Sequence, residues 1–183
     1  MKVLIITYYW PPAGGSGVQR WLKFVKYLQD FGIEPIVYTV DNANYPKEDS
    51  TLLKEVPKNI KILKQPIWEP TNLLFWKKKN AVKKGISNVS KGGFLSFIRG
   101  NFFIPDPKVF WVKPSVKFLQ KYILEHKIDT IISTGPPHSM HLIAQKLHQK
   151  NNIKWIADFR DPWTNLYYNT DFNQLNFAKN KNL

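Results

Sequence analysis

The stretch that decides the fold is KVLIITYYWPPAGGSGVQRWLKFVKYLQDFGIEPIVYTV, from Lys2 to Val40. It opens with an apolar run typical of a strand that is buried on both faces. A Gly-rich loop follows, and apolar residues then recur at helical spacings of three and four, with Ser16 as the predicted N-cap and Gly32 as the predicted stop. A second strand is predicted at Ile33–Val40. Strand, helix and strand within about forty residues predict a βαβ unit with parallel strands.

The rest of the chain repeats this alternation. Short β-rich runs predict further strands at Asn59–Gln65, Asp129–Thr134 and Lys154–Phe159, and helical spacing predicts helices that begin near Pro114 and near Met140. The pattern predicts an α/β fold, a Rossmann-like, doubly wound and mostly parallel sheet with strand order 3-2-1-4-5.

Composition narrows the class of protein. The 183 residues contain no cysteine, which excludes disulfides and thiolate metal sites. Twenty-seven basic residues against thirteen acidic ones leave a net charge of +14, which indicates an anionic partner. The N-terminus does not fit a secretory signal, and no apolar run reaches the roughly 18 residues of a spanning helix. A cytoplasmic location is expected, either in solution or peripheral on the inner face of the plasma membrane. The histidines lack neighbouring carboxylates, so no metal site is predicted.

Three unusual loops follow predicted strands one, four and five. They are PPAGGSG at Pro11–Gly17, STGPPHS at Ser133–Ser139 and FRDPW at Phe159–Trp163. In an open parallel sheet, ligands bind beyond the carboxyl ends of the strands, near the point where the strand order reverses. The three loops are therefore expected to converge on one site.

The Gly-rich loop is suited to an anion. Glycines let backbone N–H groups approach a ligand, and a helix N-terminus favours negative charge. The alternative is a tight turn that needs only a positive φ. The dinucleotide fingerprint fails because Arg20 stands at its third glycine position, and the phosphate-loop ending G-K-[ST] is absent.

The other two loops carry polar side chains. Two prolines fix the backbone before His138, and FRDPW offers a cation, a carboxylate and a stacking surface. The alternatives are a structural histidine and an exposed salt bridge between Arg160 and Asp161. The predicted cleft contacts are Pro137, His138, Arg160, Asp161 and Trp163.

The segments YYWPPAGGSGVQRW, STGPPHSMHLIAQKL and WIADFRDPW together carry a family resemblance. The chain resembles, from Met1 to about Trp163, the N-terminal half of bacterial family 4 (group 1) glycosyltransferases, which have the two-domain GT-B fold. The resemblance implies retaining transfer of a sugar from a nucleotide-sugar to a saccharide or lipid-linked saccharide in cell-surface polysaccharide synthesis. It implies that Gly14, Gly15, Ser16 and Gly17 approach the donor phosphates. The nucleotide-sugar is then a substrate, and no tightly bound cofactor is expected.

The chain also departs from this family. The C-terminal donor domain, with its paired glutamates, is not found in the sequence, so residues 1–164 are expected to form the acceptor-side domain and 165–183 a tail or the start of an interdomain connection. Such a half is expected to be inactive alone. Many relatives carry a histidine after the fifth strand where this chain has Arg160 and Asp161, so no catalytic residue is assigned.

A basic, aromatic insert lies at about residues 77–113. Between Lys77 and Lys121 there are eleven basic residues and one acidic residue, Asp106. Cations beside aromatic side chains predict contact with an anionic membrane surface, which suits a lipid-linked acceptor. The alternative is a solvated basic helix whose aromatic residues cover the sheet.

Two other functions remain open from the sequence. Basic residues interleaved with aromatics are also typical of single-strand nucleic-acid binding, but no nucleic-acid motif is present and no nucleic-acid partner is expected. A nucleotide-dependent oxidoreductase is supported by the βαβ unit and by Asp41 at the end of strand two, and Arg20 speaks against it.

Overall fold

The structure is a computed structural model that describes residues 1–41, 43, 45–68, 101, 103–161 and 175. Most of the basic insert and of the predicted tail, together with Trp163, therefore lies outside the described residues. The strands are β1 (Lys2–Ile6), β2 (Glu34–Val40), β3 (Lys61–Gln65), β4 (Thr130–Gly135) and β5 (Lys154–Phe159). The helices are α1 (Ser16–Leu28), α2 (Val112–His126) and α3 (Ser139–Asn151), with short 3-10 turns at Gln29–Phe31, Ser50–Glu55 and Val109–Trp111.

The described strands form one parallel sheet in the order β3-β2-β1-β4-β5. The predicted α/β fold and its strand order are confirmed. Strand β1 is central, because Val3 pairs with Pro35 of β2 on one side and with Thr130 of β4 on the other. The strand order reverses between β1 and β4, which places the ligand edge predicted for such sheets at the ends of these two strands.

Helices cover both faces of the sheet, because successive side chains of a strand point in opposite directions. Leu4 and Ile6 of β1 pack in a core that includes residues of α2 and α3, such as Leu119 and Ile143. Val3 and Ile5 belong to the other core, with the apolar face of α1 formed by Val18, Trp21, Leu22 and Val25. Alternate residues of β1 thus enter two cores, which explains why the first run of sequence is apolar throughout.

The start of α1 differs from the prediction. Ser16 is the first residue of the helix, and Gly15 is the N-cap, with no side-chain cap hydrogen bond among the described residues. The prediction that Ser16 caps the helix is wrong. Gly15 has φ +122°, a conformation that residues with a side chain rarely adopt, so the turn into α1 depends on a glycine there. The predicted stop at Gly32 is confirmed, with φ +68° after the 3-10 turn.

Candidate functional site

The three loops predicted to converge do meet at the carboxyl edge of the sheet. The backbone N–H of Arg160, after β5, donates to the carbonyl of Gly135 at the end of β4, with N···O 3.3 Å. The Arg160 side chain reaches the Gly-rich loop that follows β1. A β carbon placed on Gly17 would lie 1.6 Å from Nη1 of Arg160 and 2.9 Å from its Cζ. The predicted convergence is confirmed.

Two glycines of the loop are needed for different reasons. At Gly15 a β carbon would meet nothing within 4 Å, and the positive φ alone explains the residue. At Gly17 the space is filled by the guanidinium of Arg160, so any side chain would displace that group. The Gly-rich loop therefore serves both readings of the sequence: one glycine makes the turn and the other permits a close approach.

The N-terminus of α1 is electrostatically unbalanced. Its positive helix end carries no acidic residue in the first turn and no side-chain cap among the described residues, yet the Arg160 cation packs against it. A cation in this position is disfavoured by the helix dipole. Asp161 offsets part of the charge, with its Oδ2 3.8 Å from Nη2 of Arg160, and both side chains remain partly exposed, at 49% and 34%. An anion that contacts both the loop amides and the exposed part of Arg160 would be stabilised.

Asp158 of β5 joins α1 to the sheet beneath this loop. Its carboxylate accepts hydrogen bonds from Arg20 Nη2 (2.7 Å), Trp21 Nε1 (3.1 Å) and Thr134 Oγ1 (2.8 Å). Burial alone would raise the pKa of Asp158, but the bonds from Thr134, Arg20 and Trp21 and the charge of Arg20 hold it below the usual value. Arg20 stands where the dinucleotide-binding fingerprint has its third glycine, and in this structure its side chain binds Asp158.

The Pro137–His138 turn lies at the carboxyl edge of the sheet and is buried. Pro137 is buried and His138 is 6% exposed, with its ring 6.1 Å from that of Phe159. Burial lowers the pKa of His138, and the carboxylates of Asp106 and Asp161 oppose this effect. His138 is therefore a neutral ring near the site, and its contact with a ligand remains a prediction.

Asp106, from the basic insert, occupies the N-terminus of α3. Its Oδ2 accepts from the backbone N–H of Ser139 and its Oδ1 from the Ser139 hydroxyl, both at 2.8 Å. A carboxylate thus already neutralises this helix end. Three described helices, α1, α2 and α3, begin at this edge, and α1 is the one whose N-terminus lies against Arg160.

Replacing Asp106 with alanine is expected to lower the free energy of unfolding by about 1–2 kcal/mol, because Ser139 loses both bonds to its cap. Asp41→Ala, at an exposed position, is the matched control and is expected to change stability by less than about 0.5 kcal/mol. Urea unfolding measures both, and equal effects of the two substitutions would contradict the capping role.

Sequence reasoning missed two residues of the site. Asp158 holds α1 against the sheet and Asp106 caps α3, and the sequence analysis predicts neither contact. Asp158 did carry a signal, since it is the acidic residue in the predicted strand KWIADF. Asp106 carried the weaker signal of being the single acid in a basic stretch. Among the described residues no group of three metal-ligating side chains could hold a metal ion, and no described helix is long and apolar enough to cross a membrane.

Comparisons with known proteins concern the fold. No protein-family model matches the chain, and no curated protein matches it. Among solved structures, the C-terminal domain of the PF1911 hydrogenase from Pyrococcus furiosus matches with 13% identity and a TM-score of 0.47, over 86% of this chain and 89% of that one. Apo UGT2 of Phytolacca americana matches with the same identity and TM-score, over 86% of this chain and 29% of that one. This chain thus spans less than a third of UGT2, and no functional conclusion rests on likeness of this degree.

Proposed function

We propose that this chain forms the acceptor-side half of a retaining glycosyltransferase site, which transfers a sugar from a nucleotide-sugar to a saccharide or lipid-linked saccharide. The family resemblance of the three loops suggests the reaction. The geometry supports it through one observation: the Arg160 guanidinium packs onto Gly17 at the uncapped N-terminus of α1. A helix end, bare amides and a guanidinium together are suited to a diphosphate.

The chemistry of the reaction fits this arrangement. When a sugar leaves a nucleotide diphosphate, negative charge grows on the leaving phosphate. Donors that are already oriented toward that charge stabilise the transition state most. In this proposal the amides of Gly15, Ser16 and Gly17 and the guanidinium of Arg160 supply those donors. Gly14 lines the loop, but its N–H already donates to the Lys47 carbonyl at 3.0 Å. Asp161 contacts the sugar or orients Arg160. Retaining transfer then needs no base from this chain, and no residue is assigned as one.

The nucleotide-sugar enters as a substrate, held mostly by a second domain in the family that the chain resembles. Alone, the chain is expected to bind a diphosphate weakly and to turn over no nucleotide-sugar. Calorimetry at fixed ionic strength separates the candidate functions. The ligands to titrate are pyrophosphate, UDP, NADH and a single-stranded oligonucleotide. Binding of the two diphosphates supports the proposal. If only the oligonucleotide binds, a nucleic-acid module is favoured, and if only NADH binds, an oxidoreductase is favoured. Turnover of a nucleotide-sugar by this chain without a second domain contradicts the proposed half-site.

An anionic membrane surface is the second partner in this proposal. Support comes from Trp68, which precedes the insert, and from Phe110, which lies within it. These two side chains are 61% and 40% exposed, and their ring centroids are 5.3 Å apart. Lys64, Lys108 and Lys113 lie in the same segments of chain. Exposed aromatic rings near lysines are suited to the interface of an anionic bilayer.

Liposome flotation is expected to show binding to vesicles containing phosphatidylglycerol and none to neutral vesicles. Replacing Trp68 and Phe110 together with serine is expected to lower the bound fraction several-fold, because two interfacial rings are lost. Phe31→Ser is the matched control, since Phe31 is 79% exposed but lies in the 3-10 turn after the C-terminal end of α1. Indifference to lipid charge, or an equal loss in the control, would contradict membrane contact through this surface.

A further inference from the structure

A chain of three polar side chains lies behind the Pro137–His138 turn. The indole Nε1–H of Trp155 donates to the hydroxyl oxygen of Ser133 at 2.8 Å, and that oxygen lies 2.8 Å from Nδ1 of His141. Ser133 is fully buried and His141 is 2% exposed. No step of the proposed transfer uses these groups, so their arrangement needs its own explanation.

The direction of the hydrogen bonds in this chain follows from its first member. An indole can only donate, so the bond from Trp155 ends on the oxygen of Ser133. The Ser133 hydroxyl then has one hydrogen to donate, and His141 is its other hydrogen-bond partner among the described residues. If Nδ1 of His141 carried the proton, the buried Ser133 hydrogen would be left without an acceptor, which is costly. The network therefore assigns Nδ1 as the acceptor and the ring proton to Nε2.

The protonated nitrogen faces the turn. A β carbon placed on Gly135 would lie 2.7 Å from Nε2 of His141 and 3.0 Å from Nδ1 of His138, so both rings crowd one point above the Gly135 backbone. The ring of His141 also packs against Phe159, with centroids 4.1 Å apart. Gly135 is thus the position that lets the two imidazoles approach the end of β4.

The charge state agrees with this geometry. Burial, and then the neighbouring His138, lower the pKa of His141 to about 4, while the carboxylate of Asp158 opposes them. His138 faces Asp106 and Asp161, which oppose the lowering of its own pKa by burial. At neutral pH both rings are uncharged, so each has one donor and one acceptor nitrogen.

We propose that Trp155 and Ser133 hold His141 as the neutral Nε2–H tautomer, so that His141 is a positioning residue whose N–H faces the Gly135–His138 turn. The tautomer follows from the hydrogen bonds alone, whereas its importance for ligand binding rests on the proposed function. His141 in this role orients the turn and does not itself take a proton from a substrate.

Ring-nitrogen NMR on the full chain, labelled at histidine and free of ligand, tests the assignment. The His141 signals, assigned by their loss in His141→Gln, are expected to show the Nε2–H tautomer at neutral pH. His148 is an internal reference of the opposite kind, because its Nδ1 lies 2.6 Å from the Ile153 carbonyl oxygen and must carry a proton there. Both tautomers should therefore appear in one spectrum.

Substitutions test the cause of the assignment. Ser133→Ala removes the donor to Nδ1, and the His141 tautomer ratio is expected to shift several-fold toward Nδ1–H while His148 is unchanged. Trp155→Phe is expected to give a smaller shift in the same direction, since the Ser133 hydroxyl loses the donor that orients it and can turn away from Nδ1. This variant also tests the assignment if Ser133→Ala does not fold. An Nδ1–H or charged His141 in the unsubstituted chain, or a ratio unmoved in a folded variant, would overturn the proposal. Because these spectra are recorded without ligand, the tautomer that they show does not depend on whether the chain binds a diphosphate.

Discussion

Replacing Gly17 with alanine is expected to weaken pyrophosphate binding by about tenfold to a hundredfold, the loss of one charge-assisted hydrogen-bonding group. The new methyl group would occupy the space 1.6 Å from Nη1 of Arg160, so the guanidinium must leave the loop. Stability is expected to change little, because Gly17 lies inside α1, where alanine is the better helix former by up to about 1 kcal/mol. Calorimetry with pyrophosphate and thermal unfolding measure the two effects separately.

Gly15→Ala is the matched control for this experiment. It strains the backbone, at a cost of about 1–3 kcal/mol, because φ is +122° at this position. It fills open space, however, and leaves Arg160 in place. The two alanines should therefore show opposite profiles: loss of affinity with a stable fold at position 17, and loss of stability with Arg160 still in place at position 15. Unchanged affinity in Gly17→Ala would contradict a role for Arg160 in anion binding.

Replacing Asp158 with alanine is expected to lower the free energy of unfolding by about 2–3 kcal/mol, because buried donors on Trp21 and Thr134 lose their acceptor. The effect is below that of a fully buried ion pair, since the Arg20 side chain is 41% exposed. Asp30→Ala, at an exposed position, is the matched control and is expected to cost less than about 0.5 kcal/mol. Urea unfolding at neutral pH compares the two, and an equally small change in both would contradict the account of Asp158.

The same residue predicts a pH dependence. The pKa of Asp158 is lowered in the folded chain, so protonation favours the unfolded state. Its stabilising contribution is complete above the ordinary carboxyl pKa of about 4 and is lost as the pH falls through the lower, folded value. The stability difference between the unsubstituted chain and Asp158→Asn is therefore expected to shrink on acidification below about pH 4. A difference that stays constant over this range would mean that the charge of Asp158 does not contribute.

The fold could be predicted because its signals are local and periodic. The apolar run of β1 and the spacing of Val18, Trp21 and Val25 fix a strand and a helix, and the handedness of βαβ units then restricts the strand order. The convergence of the loops follows from that order alone, since parallel strands bring their carboxyl ends to one edge. The boundaries were less certain, as the start of α1 at Ser16 shows.

The partners within the site could not be predicted in the same way. Arg20 and Asp158 are 138 residues apart in sequence, and their pairing depends on how α1 lies across the sheet. Asp106 reaches Ser139 from a segment without a clear hydrophobic period. Gly17 was recognised as a residue permitting close approach, but the group that approaches it in this structure, Arg160, comes from the far end of the chain. Local patterns indicate where a site lies, and tertiary contacts decide which side chains compose it.

The central claim is that the α1 N-terminus and Arg160 together form an anion site at the carboxyl edge of the sheet. Titration of the isotope-labelled chain with inorganic pyrophosphate, followed by amide and arginine side-chain NMR, tests it most directly. The account predicts that the amides of Gly15, Ser16 and Gly17 and the Nε–H of Arg160 shift together with one half-saturation point, and that Arg160→Gln weakens this response at least several-fold. Shifts confined to the basic segments around Lys108 and Lys113, or a response unchanged by Arg160→Gln, would contradict it.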